Sequence, residues 1–173
     1  ISPAFPAFNV YSRLARQTTA LGPLAIATVI NEMGSWNVEV IDENNFRKLG
    51  PVTPQGVPDH GILQTLRPAT HVGLYGGLSS SIPRLFEVAR FYKEAGCTVI
   101  AGGQHFVGEN IRTALENGID YLVIGEGEET IRELLPAIQN GDPCDAIDGI
   151  AFLHDGEVVQ TPPRPPIIDF EHL

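Results

Sequence analysis

Thr98-Val99-Ile100-Ala101-Gly102-Gly103-Gln104-His105 and Tyr121-Leu122-Val123-Ile124-Gly125-Glu126-Gly127-Glu128-Glu129-Thr130 decide how this chain is read. Each opens on four apolar, aromatic or β-branched residues and stops at glycine. A short unbroken run of this kind suits a strand buried on both faces, as in a parallel sheet. A helical pattern follows each one. Gly108 to Asn117 closes at Gly118, and Glu128 to Asn140 closes at Gly141. Glycine just past the last turn is a usual helix stop. Strand, glycine-rich turn and helix, repeated in that order, predict an α/β fold with right-handed crossovers.

The same alternation extends toward the amino end. His71-Val72-Gly73-Leu74-Tyr75 reads as a strand. Ile82 to Ala95 follows as a helix, with apolar residues at 82, 85, 86, 88, 89 and 92 forming a stripe. Val38-Glu39-Val40-Ile41-Asp42 reads as another strand, and Pro23 to Met33 as a helix with Pro23 in its first turn. Gln55 to Arg67 is less regular and predicts a short helix. Ile1-Ser2-Pro3-Ala4-Phe5 reads as the last residues of a strand running into a loop. Toward the carboxyl end, Ile150-Ala151-Phe152-Leu153-His154 and Glu157-Val158-Val159-Gln160 flank Asp155-Gly156, a strong hairpin signal. Thr161-Pro162-Pro163-Arg164-Pro165-Pro166 then reads as a polyproline-type linker. The expected organisation is an α/β domain over 1–145, a hairpin appendage over 146–161 and a linker over 162–173. The chain reads as a piece of a longer protein.

Length and composition exclude several classes. The 173 residues suit one domain. With 43% hydrophobic and 18% charged residues, the chain is not of the disordered type. No run of about 18 apolar residues exists to span a membrane. The net charge of −10 makes nucleic acid and anionic membranes poor partners. Cys97 and Cys144 make no disulfide framework, so reduced thiols in the cytoplasm are expected. Their separation also fits no short metal clip.

In doubly wound sheets ligands bind beyond the carboxyl ends of the strands. The loops there begin at Asp42, at Gly76-Gly77-Leu78-Ser79-Ser80-Ser81, at Gly102-Gly103-Gln104-His105 and at Gly125-Glu126-Gly127-Glu128. Glycine lets the backbone approach a flat or bulky ligand. His105 reads either as a ligand or acid–base group or as a loop imidazole bonded to backbone. Glu126 and Glu128 read either as a catalytic or metal-binding pair or as acids favoured at a helix N-terminus. Ser81 reads as a helix cap, and Ser79 and Ser80 as caps or ligand donors. The first turn lacks G-x-G-x-x-G, against a dinucleotide site. The third strand ends Leu74-Tyr75-Gly76 without the aspartate of a phospho-acceptor receiver domain, and no G-x-S-x-G elbow exists.

This ordered set of loops resembles the N-terminal B12-binding domain of cobalamin-dependent radical SAM enzymes. Gly102-Gly103-Gln104-His105 is similar to the family's Gly-Gly-x-His motif, and Gly125-Glu126-Gly127-Glu128 to its Gly-Glu-Gly-Glu motif. Leu21-Gly22-Pro23-Leu24 resembles an altered form of the opening of its first helix, and Pro165-Pro166-Ile167-Ile168-Asp169-Phe170 its linker into the radical SAM barrel.

The resemblance implies a flavodoxin-like, Rossmann-like doubly wound sheet of order 2-1-3-4-5. It implies cobalamin across the carboxyl edge, held among Asp42, Tyr75, Gly76, Ser79, Ser80, Ser81, Gly102, Gly103, Gln104, His105, Gly125, Glu126, Gly127 and Glu128. The mutase-type Asp-x-His-x-x-Gly motif is absent, so no protein histidine from that loop ligates cobalt. The family's usual serine after the third strand is Tyr75 here. No three-cysteine motif is present; S-adenosylmethionine and the 4Fe-4S cluster would belong to a missing C-terminal radical SAM domain. The implied role is a cobalamin-binding domain, non-catalytic by itself, that positions the corrinoid for methyl transfer or radical chemistry. Two alternatives stay open. One is a flavodoxin-like structural or substrate-gating module that has lost cobalamin. The other is a stand-alone metal enzyme using Glu126, Glu128 and His105.

Overall fold

The computed structural model describes residues 1–6, 18, 20–46 and 49–166. Residues 167–173 of the expected linker lie outside them. Among the described residues the helices are α1 (Leu21–Glu32), α2 (His60–Leu66), α3 (Ile82–Glu94), α4 (Glu109–Glu116) and α5 (Gly127–Asn140), and a 3-10 turn (Ser79–Ser81) precedes α3. The strands are β1 (His71–Tyr75), β2 (Thr98–Gly102), β3 (Tyr121–Val123), β4 (Ile150–His154) and β5 (Glu157–Gln160). They form one five-stranded sheet in chain order. β1, β2 and β3 run parallel, whereas β4 pairs antiparallel with β3 and with β5. The architecture is therefore α/β with a mixed sheet.

The helices cover both faces. Alternation along β2 sends Val99 and Ala101 to one face and Ile100 to the other. On the first face they pack with Val72, Leu74 and Leu122 against Leu85, Val88 and Ala89 of α3 and Ile111 and Ala114 of α4. On the second face Ile100 and Ile150 meet Val29 of α1 and Ile131, Leu134 and Leu135 of α5. Ile150 and Ala151 are fully buried, so the hairpin supplies core residues to both faces. Its turn residues Asp155 and Gly156 both take positive φ, 51° and 81°, as a two-residue turn matched to strand twist requires.

One expected strand does not form. Residues 36–41 carry no ladder, and Asp42 makes only an isolated parallel bridge with Ser2. A strand exists through its neighbour's hydrogen bonds, and a cavity of about 970 Å³ lies between Val38–Ile41 and β1. α2 is also shorter than the sequence suggests. It starts at His60 because the Asp59 side chain accepts from Ile62 N–H at 3.0 Å and caps it.

Candidate functional site

The parallel register aligns the carboxyl ends of three strands. Tyr75 pairs with Gly102, and Gly102 pairs with Val123. The loops after β1, β2 and β3 therefore leave the sheet side by side. Gly76, Gly102, Gly103, Gly125 and Gly127 all lie at this edge.

The first two loops interlock. Gly76 N–H donates to Gly102 C=O at 2.7 Å, and His105 N–H donates to Gly76 C=O at 3.0 Å. A Cβ on Gly103 would lie 2.6 Å from the Gly76 carbonyl carbon, and one on Gly76 would lie 2.5 Å from the Phe106 ring. These two glycines are thus required by protein packing before any ligand is considered. Ser79 Oγ and His105 Nδ1 share a hydrogen bond of 3.1 Å across the two loops, and His105 C=O accepts from Asn110 Nδ2 at 3.0 Å. His105 is an oriented loop imidazole whose Nε2 has no partner among the described residues. Gln104, Ser79 and Ser80 are exposed beside it.

The other expected site residues divide. Ser81 holds the cap position of α3, but its hydroxyl donates to Leu78 C=O at 2.9 Å, and the helix N–H groups receive no side-chain cap from it. The buried Ser81 hydroxyl is therefore consumed by its own turn. Asp42 is similarly engaged. Its carboxylate accepts from Asn44 N–H and Asn44 Nδ2, each at 3.0 Å, and from Asn45 Nδ2 at 2.7 Å. Glu126 precedes the first turn of α5 and Glu128 lies in it, beside its unpaired N–H groups. Thr130 donates back to Glu126 C=O at 2.8 Å. A Cβ on Gly127 would come within 2.9 Å of Ile26, so this glycine lets α1 approach α5. Among the described residues no three His, Cys, Asp or Glu converge as metal ligands, and His105, Glu126 and Glu128 form no such cluster.

Tyr75 stands over the amino end of α1; a Cβ on Gly22 would lie 3.3 Å from its ring. With Gly103, Gly127 and Glu128 it lines the carboxyl end of the cavity described above. Leu21, Leu78 and Val107, 80%, 44% and 61% exposed, supply apolar surface in the loops and helix start around this edge.

The sequence reading missed a buried polar group that anchors the first loop. The Glu43 side chain is fully buried. Its carboxylate accepts from Ala4 N–H at 2.7 Å, from His60 Nε2 at 3.0 Å and from Arg84 Nη2 at 2.7 Å. His60 Nδ1 meets Tyr92 Oη at 2.9 Å. Burial alone would raise the Glu43 pKa, but the His60, Arg84 and Ala4 donors outweigh it and hold it at about 2. Burial pushes Tyr92 up to about 12. Residues 43, 60, 84 and 92 have no sequence spacing that signals one cluster; three elements bring them together.

No family model matches the chain. It is 29% identical over 178 residues to the anaerobic magnesium-protoporphyrin IX monomethyl ester cyclase of Synechocystis sp., covering 99% of this chain and 33% of that protein. It is 36% identical over 76 residues to an uncharacterised methyltransferase of Pyrococcus horikoshii, covering 43% of this chain and 17% of that protein. The chain thus spans about a third or less of the curated relatives it matches. Among solved structures it superposes on the radical S-adenosylmethionine methyltransferase TsrM of Kitasatospora setae with cobalamin and a [4Fe-4S] cluster bound. The TM-score is 0.66 and the identity 21%, over 89% of this chain and 28% of that one. The same enzyme with tryptophan and a SAM analogue gives 0.66 and 23%, over 87% and 28%. In fold, the chain is similar to the part of the radical S-adenosylmethionine methyltransferase TsrM on which it superposes.

Proposed function

We propose that this chain is a cobalamin-binding domain of a larger radical SAM enzyme, and that the corrinoid lies across the carboxyl edge of β1–β3. The observation that carries this reading is the aligned register of three strand ends, which sets three glycine-rich loops side by side. The residues fit a wide, flat, amide-bearing ligand. Gly103 is exposed, and nothing lies within 4 Å of where a Cβ on Gly125 would stand, so backbone is open to close approach. Leu21, Leu78 and Val107 offer apolar contact. Ser79, Ser80, Gln104 and His105 offer polar groups for corrin amides or the phosphate. Ser79 orients the His105 ring, and the His105 backbone ties its loop to Gly76, so this rim is pre-set. Asp42 and Ser81 shape turns and act through them. Bound cobalamin would supply methyl transfer or radical chemistry, together with the S-adenosylmethionine and 4Fe-4S cluster of a further C-terminal domain.

In this reading β1, β2 and β3 hold the third to fifth places of the order 2-1-3-4-5, and the chain at Ile1–Ser2 and residues 38–42, joined here by a single bridge, hold the first and second. The Ser2–Asp42 bridge and the bond from Tyr75 N–H to Ile1 C=O at 3.0 Å support it.

The test is direct. Purified protein is mixed with hydroxocobalamin, desalted and read for retained corrinoid absorbance. Wild type should retain it. His105→Ala should weaken retention about 2- to 10-fold, since one neutral hydrogen bond contributes roughly 0.5–1.5 kcal/mol. Glu157→Ala, on the distal hairpin, should not. No retention by wild type would instead favour a module of the same fold without the cofactor, a reading to which Tyr75 at the cavity mouth would lend a steric cause.

A further inference from the structure

Thr130, the fourth residue of α5, is fully buried, and its hydroxyl sits among three polar groups. It lies 2.8 Å from Glu126 C=O and 3.5 Å from Asp148 C=O, and its oxygen accepts from Arg164 Nε at 3.0 Å. A hydroxyl has one proton to give. The competing Asp148 carbonyl accepts from Arg164 Nη2 at 3.3 Å, so Arg164 leaves the Thr130 proton to Glu126. The guanidinium is itself held by a forked pair with Glu133, Nη1 to Oε1 at 3.1 Å and Nη2 to Oε2 at 2.9 Å, and the Arg164 side chain is 15% exposed. Its flanking residues, Pro162, Pro163, Pro165 and Pro166, have restricted φ and carry no N–H. Backbone closes the same corner. Gly149 N–H donates to Pro162 C=O at 2.8 Å, and Gly149 C=O accepts from Ile124 N–H at 2.8 Å. A Cβ on Gly149 would stand 3.1 Å from Ile124 C=O, 3.2 Å from Thr130 Oγ1 and 3.4 Å from Arg164 Cβ. The exit of β3, the start of α5 and the segment at 161–164 therefore meet at one glycine.

We propose that Arg164 is a positioning residue for the turn between β3 and α5, acting through Thr130 on the Glu126–Gly127 peptide. The peptide is planar and trans, so fixing the direction of Glu126 C=O also fixes Gly127 N–H, which points the opposite way. Opposite to a carbonyl at the cap of α5 is the space beyond the carboxyl edge of the sheet, where the first N–H groups of the helix have no intrahelical partner. Gly125, just before, is exposed and has positive φ, so the turn has little side-chain packing to hold it. What holds it from behind is the Thr130 hydroxyl, and what sets that hydroxyl is Arg164. A segment distant in sequence thus determines how this loop presents its backbone. The inference rests on the cobalamin reading only for what the presented groups face.

Three variants of the full chain test it. Arg164→Ala removes the donor, Thr130→Val removes the hydroxyl but keeps the charge of Arg164, and Thr130→Ser keeps the relay. Amide NMR spectra read the Gly125 and Gly127 resonances, and desalting after addition of hydroxocobalamin reads corrinoid retention. Arg164→Ala and Thr130→Val should both shift the two glycine resonances, while those of Val88 and Ala89 in α3 stay in place. Both should weaken retention about 3- to 10-fold, the size of a coupling carried through intermediate residues. Thr130→Ser should match wild type in both measurements. Unmoved Gly125 and Gly127 resonances in Arg164→Ala and Thr130→Val overturn the proposal. So do shifted resonances with unchanged retention, which would show a turn set by Arg164 but not used by the corrinoid. Loss of the folded dichroism signal in Arg164→Ala also overturns it, because Arg164 would then support the whole fold. No retention by wild type would defeat the cobalamin reading instead, and the glycine resonances would still decide whether Arg164 sets the turn.

Discussion

Gly103 and Gly125 both take positive φ, +125° and +83°, yet a side chain would meet different surroundings at the two positions. At Gly103 the added Cβ meets the Gly76 backbone at 2.6 Å; at Gly125 nothing lies within 4 Å. Backbone cannot swing aside as a side chain can. Gly103→Ala should therefore cost about 2–4 kcal/mol, from strain plus the collision. Gly125→Ala should cost only the left-handed strain, about 1–2 kcal/mol. Urea unfolding of the two variants checks the order, and equal losses would mean that the two loops do not interlock as described. This also decides how the site should be probed. Gly103 is a packing position, so a cofactor assay on a bulky Gly103 variant would report folding. His105 and exposed Gln104 and Ser79 are better probes, because their loop backbone is already held by the Gly76 bonds.

Glu43 joins elements that are distant in sequence. It holds Ala4 of the first loop, His60 at the start of α2 and Arg84 in the first turn of α3. Its depressed pKa has a definite sign. The carboxylate binds fewer protons folded than unfolded, so the stability it contributes is complete above the ordinary value of 4.5 and is lost as pH falls from there toward about 2. Glu43→Gln should lower stability at neutral pH by about 3–5 kcal/mol, the usual cost of breaking a buried ion pair. It should also flatten the dependence of stability on pH between about 4.5 and 2, read by urea melts across that range. A variant that keeps the wild-type acid slope would assign that slope to other carboxylates. His60 Nε2 lies 3.0 Å from Glu43 Oε1, and its Nδ1 lies 2.9 Å from the Tyr92 hydroxyl. Tyr92→Phe leaves that buried nitrogen unpaired and should cost about 1–3 kcal/mol in the same assay.

Across the whole molecule, the hairpin is part of the sheet. β4 covers the edge of β3 through three paired positions, and Ile150 and Ala151 are buried between the helical layers. Thr161 N–H returns to Ile150 C=O at 3.0 Å, and Arg164 reaches Thr130 and Glu133 of α5, so residues up to 164 are tied down. A chain ending at residue 145 should therefore lose cooperative unfolding and bind a hydrophobic dye, because it bares β3 as an open apolar edge. A sharp, wild-type-like melt for that truncation would make 1–145 a domain in its own right.

The elements legible in the sequence were those whose partners are local or whose pattern is strong. β1, β2, β3 and the long helices follow from apolar runs and glycine stops, and Asp155-Gly156 from turn chemistry. The two glycine motifs were legible because a strand end and a helix start must each carry their own backbone conformation. Residues 38–42 read equally well as a strand and did not form one, because a strand is completed by a neighbour's hydrogen bonds and only Asp42 is bridged, to Ser2. The same limit hid Glu43, His60, Arg84 and Tyr92, and the local bonds that Asp42 and Ser81 make within their own turns. A residue's type and its neighbours in sequence set what it can bond. Which groups are buried together, and hence which bonds remain for a ligand, is decided only when the layers close.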